Sequence, residues 1–158
     1  MVNQYVQFVA ETFSLTLETL AFITSQPPAE ADGPKGVSAP PDAMLARLLL
    51  SGGDATALEI VAGRQFGRLL AANLMGLAVD DDETELRCTD ALKELINVVG
   101  GALLRLAAEP DAQMPQMGVP LIEPFESAID WETFVACPDV SVLDAEGNTI
   151  ALRMRGAA

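Results

Sequence analysis

The chain has 158 residues, enough for one domain with a substantial core and too few for two. Its formal net charge of −14 argues against nucleic acid and anionic membranes as partners, because the chain lacks the basic residues that neutralise phosphates. It contains no histidine, which removes Ser-His-Asp and Cys-His arrangements and most transition-metal sites. The composition therefore predicts one acidic, protein-binding domain over residues 1–158 whose chemistry depends on carboxylates, amides and hydroxyls.

The two cysteines and the N-terminal segment indicate the compartment. Cys88 and Cys137 have no C-x-x-C spacing, and two lone thiols are more typical of a reducing cytosol than of a disulfide framework, although their pairing stays open. The first residues carry no basic cluster, so no signal peptide is predicted. No run of about 18 apolar residues is present, so no transmembrane helix is predicted. We expect a cytoplasmic protein.

The first half of the chain predicts two helices around a hairpin. Apolar residues at helical spacing indicate a helix from Asn3 to about Ser25, which Pro27 and Pro28 would stop. Residues 26–42 hold five prolines and read as a loop within the domain. The apolar runs Ala43–Leu50 and Ala55–Ala62 flank a Gly-Gly turn and indicate a β-hairpin. A short helix then runs from Arg64 to Gly76, which would act as its C-cap.

The second half predicts a long helix followed by strands. An acidic connector, Asp80–Glu83, leads into a helix from about Glu83 to Ala107. Three strands follow, over Gly118–Phe125, Thr133–Leu143 and Thr149–Met154. This order predicts an α/β (α+β) fold, a two-layer sandwich of helices on a largely antiparallel sheet.

The long helix carries a polar stripe opposite its apolar face. With Asp90 at 0° on a helical wheel, Glu94 falls near +40°, Asn97 near −20° and Gly101 near +20°, at about 100° per residue. The apolar residues expected to face the core fall between about 120° and 220°. They are Leu92, Leu95, Val99, Ala102, Leu103 and Leu106.

Two features of the stripe favour a binding role over a solvated polar face, which remains the alternative. Asn97 lies mid-helix, where Lys, Glu or Ala would be better by roughly 0.5 kcal/mol. Gly100 and Gly101 also lie mid-helix, each costing up to about 1 kcal/mol relative to Ala. Gly101 is one turn from Asn97, so we expect a flat, open surface there for a partner, unless the glycine serves close packing of a neighbouring helix.

The stripe belongs to a longer motif. Asp90 is followed after three residues by Glu94, after two more by Asn97, and after twenty-two by Pro120. This pattern resembles the signature of the CheC, CheX and FliY phosphatases. The segments F-V-A-E-T-F-S-L-T-L-E-T-L, L-L-L-S-G-G-D-A-T-A-L-E-I and F-G-R-L-L-A-A-N-L-M-G also resemble the first helix, hairpin and short helix of CheX-like proteins, so the likeness covers nearly the whole chain.

The resemblance implies a fold, an activity and a partner. It implies helices on one face of a mixed sheet of about six strands, and the single copy of the motif points to the CheX-like branch, whose members are often homodimers. The implied activity is hydrolysis of the aspartyl phosphate of a CheY-like receiver domain, a chemotaxis-type function. The chain would need no cofactor or metal of its own, because the receiver supplies the divalent metal, Mg²⁺, and a Lys.

The motif residues receive separate roles. The Asn97 carboxamide suits the positioning of a water in line with the phosphoryl group. Glu94 suits pairing with the receiver's Lys, and both are the candidate catalytic residues. Asp90 and Gly101 are candidate partner-binding residues, and Pro120 shapes the entry to the following strand.

Two other interpretations stay open. A CheC-like or flagellar-switch-like domain could bind a receiver without hydrolysing its phosphate, although a pure adaptor has no chemical reason to display Glu94 and Asn97. A small-molecule enzyme or a metal hydrolase is the weaker alternative. The run Asp80–Glu83 could attract Ca²⁺ or Mg²⁺, but consecutive carboxylates usually form a solvated connector.

Overall fold

The computed structural model describes residues 4–29, 37–51, 55–107, 116–125 and 128–156. Within them the chain forms a first helix, three strands, three helices, two strands, a further helix and two final strands, with a central hairpin and a C-terminal hairpin. The helices are α1 (Gln4–Ala21), α2 (Arg64–Met75), α3 (Asp82–Leu86), α4 (Cys88–Ala107) and α5 (Ala128–Val135). The strands are β1 (Ser25–Gln26), β2 (Met44–Ser51), β3 (Ala55–Ala62), β4 (Gln116–Met117), β5 (Leu121–Pro124), β6 (Val140–Ala145) and β7 (Asn148–Gly156).

The strands form one seven-stranded sheet in the order β1-β6-β7-β3-β2-β4, with β5 also on β2. Every strand pair among the described residues is antiparallel. The predicted α+β sandwich with its largely antiparallel sheet is confirmed, as is the β2–β3 hairpin. The sheet has one strand more than expected, and the described pairs make it antiparallel throughout rather than mixed.

Two short strands run end to end along the outer edge of β2. Met117 of β4 is opposite Leu50, whereas Leu121 of β5 is opposite Arg47, so the register shifts by one residue between them. Pro120 is buried within this shift. A proline fits there because it has no N–H to give to the ladder, as expected for a residue that shapes the entry to β5.

The main core lies between one face of the sheet and helices α1, α2 and α4. Alternate residues of β2 point into it, as the period of a strand requires. The largest fully buried side chains of this layer are Phe13, Leu17, Ile23, Leu48, Leu58, Ile60, Phe66, Leu70, Leu92, Leu95, Ile96 and Leu103.

A second, smaller core covers part of the opposite face. Trp131 and Phe134 of α5 pack there, and the Trp131 Nε1–H donates to the carbonyl oxygen of Val37 at 2.9 Å. The helices therefore lie on both faces of the sheet, whereas the prediction placed them on one face. The predicted strand over Thr133–Leu143 is wrong in its first part, because Trp131, Phe134 and Val135 have the i, i+3, i+4 spacing of a helix.

The predicted helix over Glu83–Ala107 is two helices, because α3 is anchored separately on α2. The Thr84 hydroxyl donates to the carbonyl oxygen of Ala78 at 2.7 Å, and Glu85 pairs with both Arg64 and Arg68. The chain turns at Arg87, whose φ of −99° and ψ of 0° end α3 before α4 begins. Tertiary contacts, and not a proline or glycine, set this break.

Helix ends follow local backbone chemistry. The left-handed Gly76, with φ 68°, ends α2 as predicted. Helix α1 ends at Ala21, earlier than the predicted Ser25, because Phe22 adopts φ 57° and Asn73 donates to the Ala21 carbonyl oxygen at 2.8 Å. The expected cap Asn3, the Gly-Gly turn and part of the predicted loop 26–42 lie outside the described residues. No helix in the described ranges is long and apolar enough to cross a membrane.

Candidate functional site

Helix α4 displays the predicted stripe on its outer face. Asp90 and Glu94 are exposed, and Asn97 is half-buried. Most residues predicted to face the core do so, since Leu92, Leu95, Val99 and Leu103 are buried. Leu106 is the exception, because the last turn of the helix runs past the core and leaves its side chain 66% exposed.

Gly100 sets how closely α4 approaches the sheet. A Cβ at this position would lie 2.5 Å from Leu48 Cδ2, so that Leu48 or the helix would have to shift to accommodate it. Leu48 is fully buried at the centre of β2. The close packing that was the alternative for Gly101 is therefore performed by its neighbour, which brings the backbone of α4 onto the sheet beside Asn97.

Gly101 lies on the outer side of the same turn and is half-buried. The nearest atoms that a Cβ there would meet are Arg105 Nη1 at 3.5 Å and Met117 Cε at 4.0 Å. Both are tips of flexible side chains, at ordinary contact distance. The surface beside Asn97 is thus bordered by movable side-chain ends, which suits the approach of another molecule.

Glu94 and Asn97 form no hydrogen bond or ion pair within the described residues. Neither polar atom of the Asn97 carboxamide is among the buried unpartnered atoms of the described chain, so the amide reaches solvent. A carboxamide can accept a hydrogen bond through its oxygen and donate through its nitrogen. Glu94 and Asn97 therefore present a carboxylate and an amide, one helical turn apart, that are both available to bind another molecule.

Asp90 differs from the other two stripe residues because it has a partner. It lies in the first turn of α4, where a carboxylate favours the positive end of the helix. Its Oδ2 is 3.7 Å from Arg87 Nη1, in a pair whose side chains are both largely exposed. The structure thus gives Asp90 a role in the start of α4, and its contact with a partner stays a prediction.

Pro120 does not belong to the displayed surface, although its segment reaches α4. The link is Met117, whose Sδ lies 3.5 Å from the Cβ position of Gly100. The Gly118 N–H donates to the Leu49 carbonyl oxygen at 2.8 Å and holds this segment on β2. Pro120 is therefore buried in a segment that contacts α4 through Met117, and it is not itself displayed.

The acidic run before α4 has a structural role. The Asp81 carboxylate accepts from the Glu83 N–H at 2.8 Å and caps α3, and Glu83 pairs with Arg87. No cluster of three or more metal-binding side chains occurs within the residues that the structure describes. The connector was predicted as a solvated segment favouring the next helix, and its capping geometry fits that interpretation.

Charge and burial shift the pKa of two side chains near α3, Arg64 and Cys88. A hydrogen bond with Glu85 raises the pKa of Arg64, and the same carboxylate adds to the effect through its charge. Burial raises the pKa of Cys88, with a further contribution from Glu85. Cys88 is buried and Cys137 partly exposed, and both are free thiols.

Sequence reasoning missed several cations, which lie in two different settings. Lys93 and Arg105 lie on the outer side of α4 near Asn97, and a helical wheel of that face could have found them. Arg153 lies on the opposite face of the sheet with Arg47 and Arg155 around the buried Glu59, at 3.2–3.7 Å. No sequence motif marks that cluster, because the strand register creates it.

Three solved structures resemble this chain over nearly its full length. CheX from Desulfovibrio desulfuricans superposes with a TM-score of 0.62 at 13% identity, covering 97% of this chain and 100% of that one. CheX from Vibrio vulnificus gives 0.61 at 17%, covering 97% and 100%. CheX from Borrelia burgdorferi, solved as a complex with CheY, BeF3 and Mg, gives 0.64 at 14%, covering 98% and 99%.

No known family model and no curated protein matches the sequence. At these identities the likeness establishes the fold, which is the fold of CheX, CheC-like and FliY chemotaxis proteins. The relationship that the motif predicted is thereby confirmed at the level of the architecture.

Proposed function

We propose that this chain, which has the CheX fold, is a phosphatase that hydrolyses the aspartyl phosphate of a CheY-like receiver domain. The observation that carries the proposal is the unengaged pair Glu94 and Asn97 on the outer face of α4. The Borrelia burgdorferi protein of the same fold was solved in complex with CheY, BeF3 and Mg. A receiver as partner and a chemotaxis role follow from that parallel.

The proposed reaction is an in-line attack by water. A water oxygen forms a bond to phosphorus while the bond between phosphorus and the aspartyl oxygen breaks. The products are the receiver's carboxylate and inorganic phosphate, which takes the proton lost by the water. The Asn97 carboxamide oxygen accepts a hydrogen bond from the water and fixes its orientation, which is the part that the substrate cannot supply itself.

Glu94 has a docking role one turn away. Its carboxylate pairs with the cation that a receiver holds beside its phosphorylated Asp, and so sets the register of α4 on the partner. The receiver holds the Mg²⁺ as part of the substrate. The reaction thus needs neither histidine nor a covalent intermediate, in keeping with a chain that has no histidine.

A cytoplasmic location and a homodimer belong to the same proposal. The receivers of two-component systems are cytoplasmic, so the enzyme must meet them there. The dimer rests on the resemblance to CheX alone. Sedimentation at micromolar concentration tests it directly, and a mass of 16.7 kDa at all concentrations would contradict it.

The test is a panel of phosphorylated receiver domains from the source organism, with phosphate release followed over time. We expect the wild-type chain to accelerate release from at least one receiver. Asn97→Ala should lower that acceleration by about 100-fold, because the water is no longer held in line. Binding to the beryllofluoride-loaded receiver should persist in this variant.

Matched control variants distinguish an effect on phosphate hydrolysis from an effect on receiver binding. Glu94→Gln should weaken binding, whereas Glu18→Gln removes an exposed carboxylate from α1 and should leave binding unchanged. Unchanged turnover in Asn97→Ala would refute the role of the amide. A wild-type chain that binds a receiver without accelerating phosphate release would instead be the adaptor that the sequence left open.

A further inference from the structure

Most basic side chains among the described residues pair with carboxylates of the chain itself. In the part of the chain that the structure describes, every arginine other than Arg105 pairs with a carboxylate within 4.0 Å. The described lysine, Lys93, forms no such pair either. The excess of acidic residues, 23 against 9 basic ones, makes two unpaired cations an unexpected outcome.

Both unpaired cations lie on the face of α4 that carries Asn97. Lys93 precedes Asn97 by four residues and is exposed. Arg105 follows it by eight residues, but its guanidinium reaches back over Gly101, 3.5 Å from that residue's Cβ position. Side chains on a helix lean toward its N-terminus, which accounts for this direction. Along the helix axis, the backbone of Lys93 and the guanidinium of Arg105 therefore lie about one turn from Asn97, on opposite sides of it.

The acidic stripe does not neutralise these cations. Asp90 is one turn from Lys93, but its carboxylate lies against Arg87 at 3.7 Å. Glu94 falls on the far side of Asn97 from Lys93, at about +40° against −60° on the wheel. Arg105 falls near +60°, on the same side of the amide as Glu94, so Lys93 and Arg105 border the face that carries Asn97 on its two sides.

The two cations matter because the net charge of the chain is strongly negative. A formal charge of −14 disfavours the approach of a phosphorylated, acidic site. At physiological ionic strength, interactions between exposed charges are largely screened beyond a Debye length of about 8 Å. The electrostatic potential at a partner docked on α4 is therefore set mainly by the charges of α4 itself. Lys93 and Arg105 give an otherwise acidic protein a local surface that attracts anionic oxygens.

We infer that Lys93 and Arg105 form an anion-binding pair that holds the negatively charged oxygens of the partner's phosphorylated site against Asn97. The inference rests on the proposed function and assigns that site its binding residues. The oxygens belong either to the phosphoryl group or to the carboxylates around it, and the two sources differ in whether binding depends on the phosphorylated state. The pair acts on substrate binding and leaves the in-line water to Asn97.

The test measures affinity and turnover separately for Lys93→Gln, Arg105→Gln and the double variant. The partner is the receiver that the wild-type protein dephosphorylates fastest, with and without beryllofluoride and Mg²⁺. Each single variant should weaken binding of the loaded receiver and raise KM by about three- to ten-fold, and kcat should change by less than about two-fold. The double variant should also lose most of the salt dependence of wild-type binding.

The control is Arg64→Gln on α2, which changes the net charge equally and leaves Glu85 with Arg68. It should bind as the wild type does. If the Lys93 and Arg105 variants lose affinity only for the beryllofluoride-loaded receiver, the phosphoryl oxygens are the ligand. If they lose affinity equally for the loaded and the unloaded receiver, the ligand is the surrounding carboxylates. Variants that bind and turn over like the wild type would overturn the inference, and a wild-type protein inactive on every receiver would overturn the proposed function with it.

Discussion

Gly100 and Leu48 meet where α4 crosses β2, and a side chain at Gly100 would force one of the two to shift. The Cβ position of Gly100 lies 2.5 Å from Leu48 Cδ2. Leu48 is fully buried, so its methyl group cannot move into solvent. This contact fixes the height of α4 above β2 and therefore the position of Glu94 and Asn97.

The two adjacent glycines should respond oppositely to alanine. Gly100→Ala forces Leu48 or the helix to shift and should lower the free energy of unfolding by about 1–3 kcal/mol. Gly101→Ala meets only side-chain tips at 3.5 Å or more and should raise it by up to about 1 kcal/mol through helix propensity. Urea unfolding measures both. Equal effects of the two substitutions would show that Leu48 does not set the position of α4.

Among the charged residues, Glu59 is the one whose substitution should lower the free energy of unfolding most. Its side chain is 2% exposed and faces Arg47 at 3.3 Å, Arg153 at 3.2 Å and Arg155 at 3.7 Å. Glu59→Gln leaves the arginines without their common counter-charge and should cost about 3–5 kcal/mol in unfolding free energy. Glu83→Gln, which breaks the exposed pair with Arg87, should cost at most about 1 kcal/mol. A similar loss in both variants would contradict this ranking.

The two thiols should differ in reactivity. Cys137 is partly exposed, and its Sγ accepts from Arg153 Nη1 at 3.3 Å. Cys88 is buried, and burial raises its pKa, so little of it is thiolate in the folded protein. Labelling with a chromogenic disulfide at pH 8 should modify Cys137 first and Cys88 only on unfolding. Equal labelling rates in Cys88→Ala and Cys137→Ala would argue against the buried setting.

The raised pKa of Cys88 should also make the stability of the protein depend on pH. Its folded pKa is raised above the ordinary value of 9.0, so the folded state holds the thiol proton more tightly than the unfolded state. This contribution is fully present below about pH 9 and is lost as the pH rises through the folded pKa. The wild type should therefore lose more stability than Cys88→Ala between pH 8 and pH 10.5. Parallel curves for the two proteins would refute the linkage.

Trp131 should anchor α5 and the loop before β2. It is 3% exposed and donates to the Val37 carbonyl oxygen at 2.9 Å. Trp131→Phe should cost about 1 kcal/mol through the lost hydrogen bond, and Trp131→Ala about 3–5 kcal/mol through the cavity. Thermal unfolding measures both, with Leu15→Ala on the exposed side of α1 as a control that should stay within about 0.5 kcal/mol. Stability unchanged in Trp131→Ala would mean that α5 contributes nothing to the fold.

Local patterns in the sequence were sufficient for several parts of this protein. The spacing of apolar residues placed α2 and the exposed stripe of α4, because helix periodicity is a property of the chain itself. The Gly76 cap followed from the left-handed backbone that glycine readily adopts. The spacing from Asp90 to Pro120 pointed to the fold. These features depend on neighbouring residues or on a motif, so the sequence alone was enough to predict them.

Other features depended on contacts between residues distant in sequence, and only the tertiary structure decided them. Anchoring on α2 broke the predicted long helix at Arg87. Packing of α5 on the second face of the sheet made residues 133–135 the end of a helix, where the start of a strand was expected. Strand register brought Glu59 under its arginines. The sequence showed two glycines and assigned the functional role to Gly101. The position of Leu48 showed that Gly100 sets the approach of α4, which leaves the Gly101 side beside Asn97 free to meet a partner.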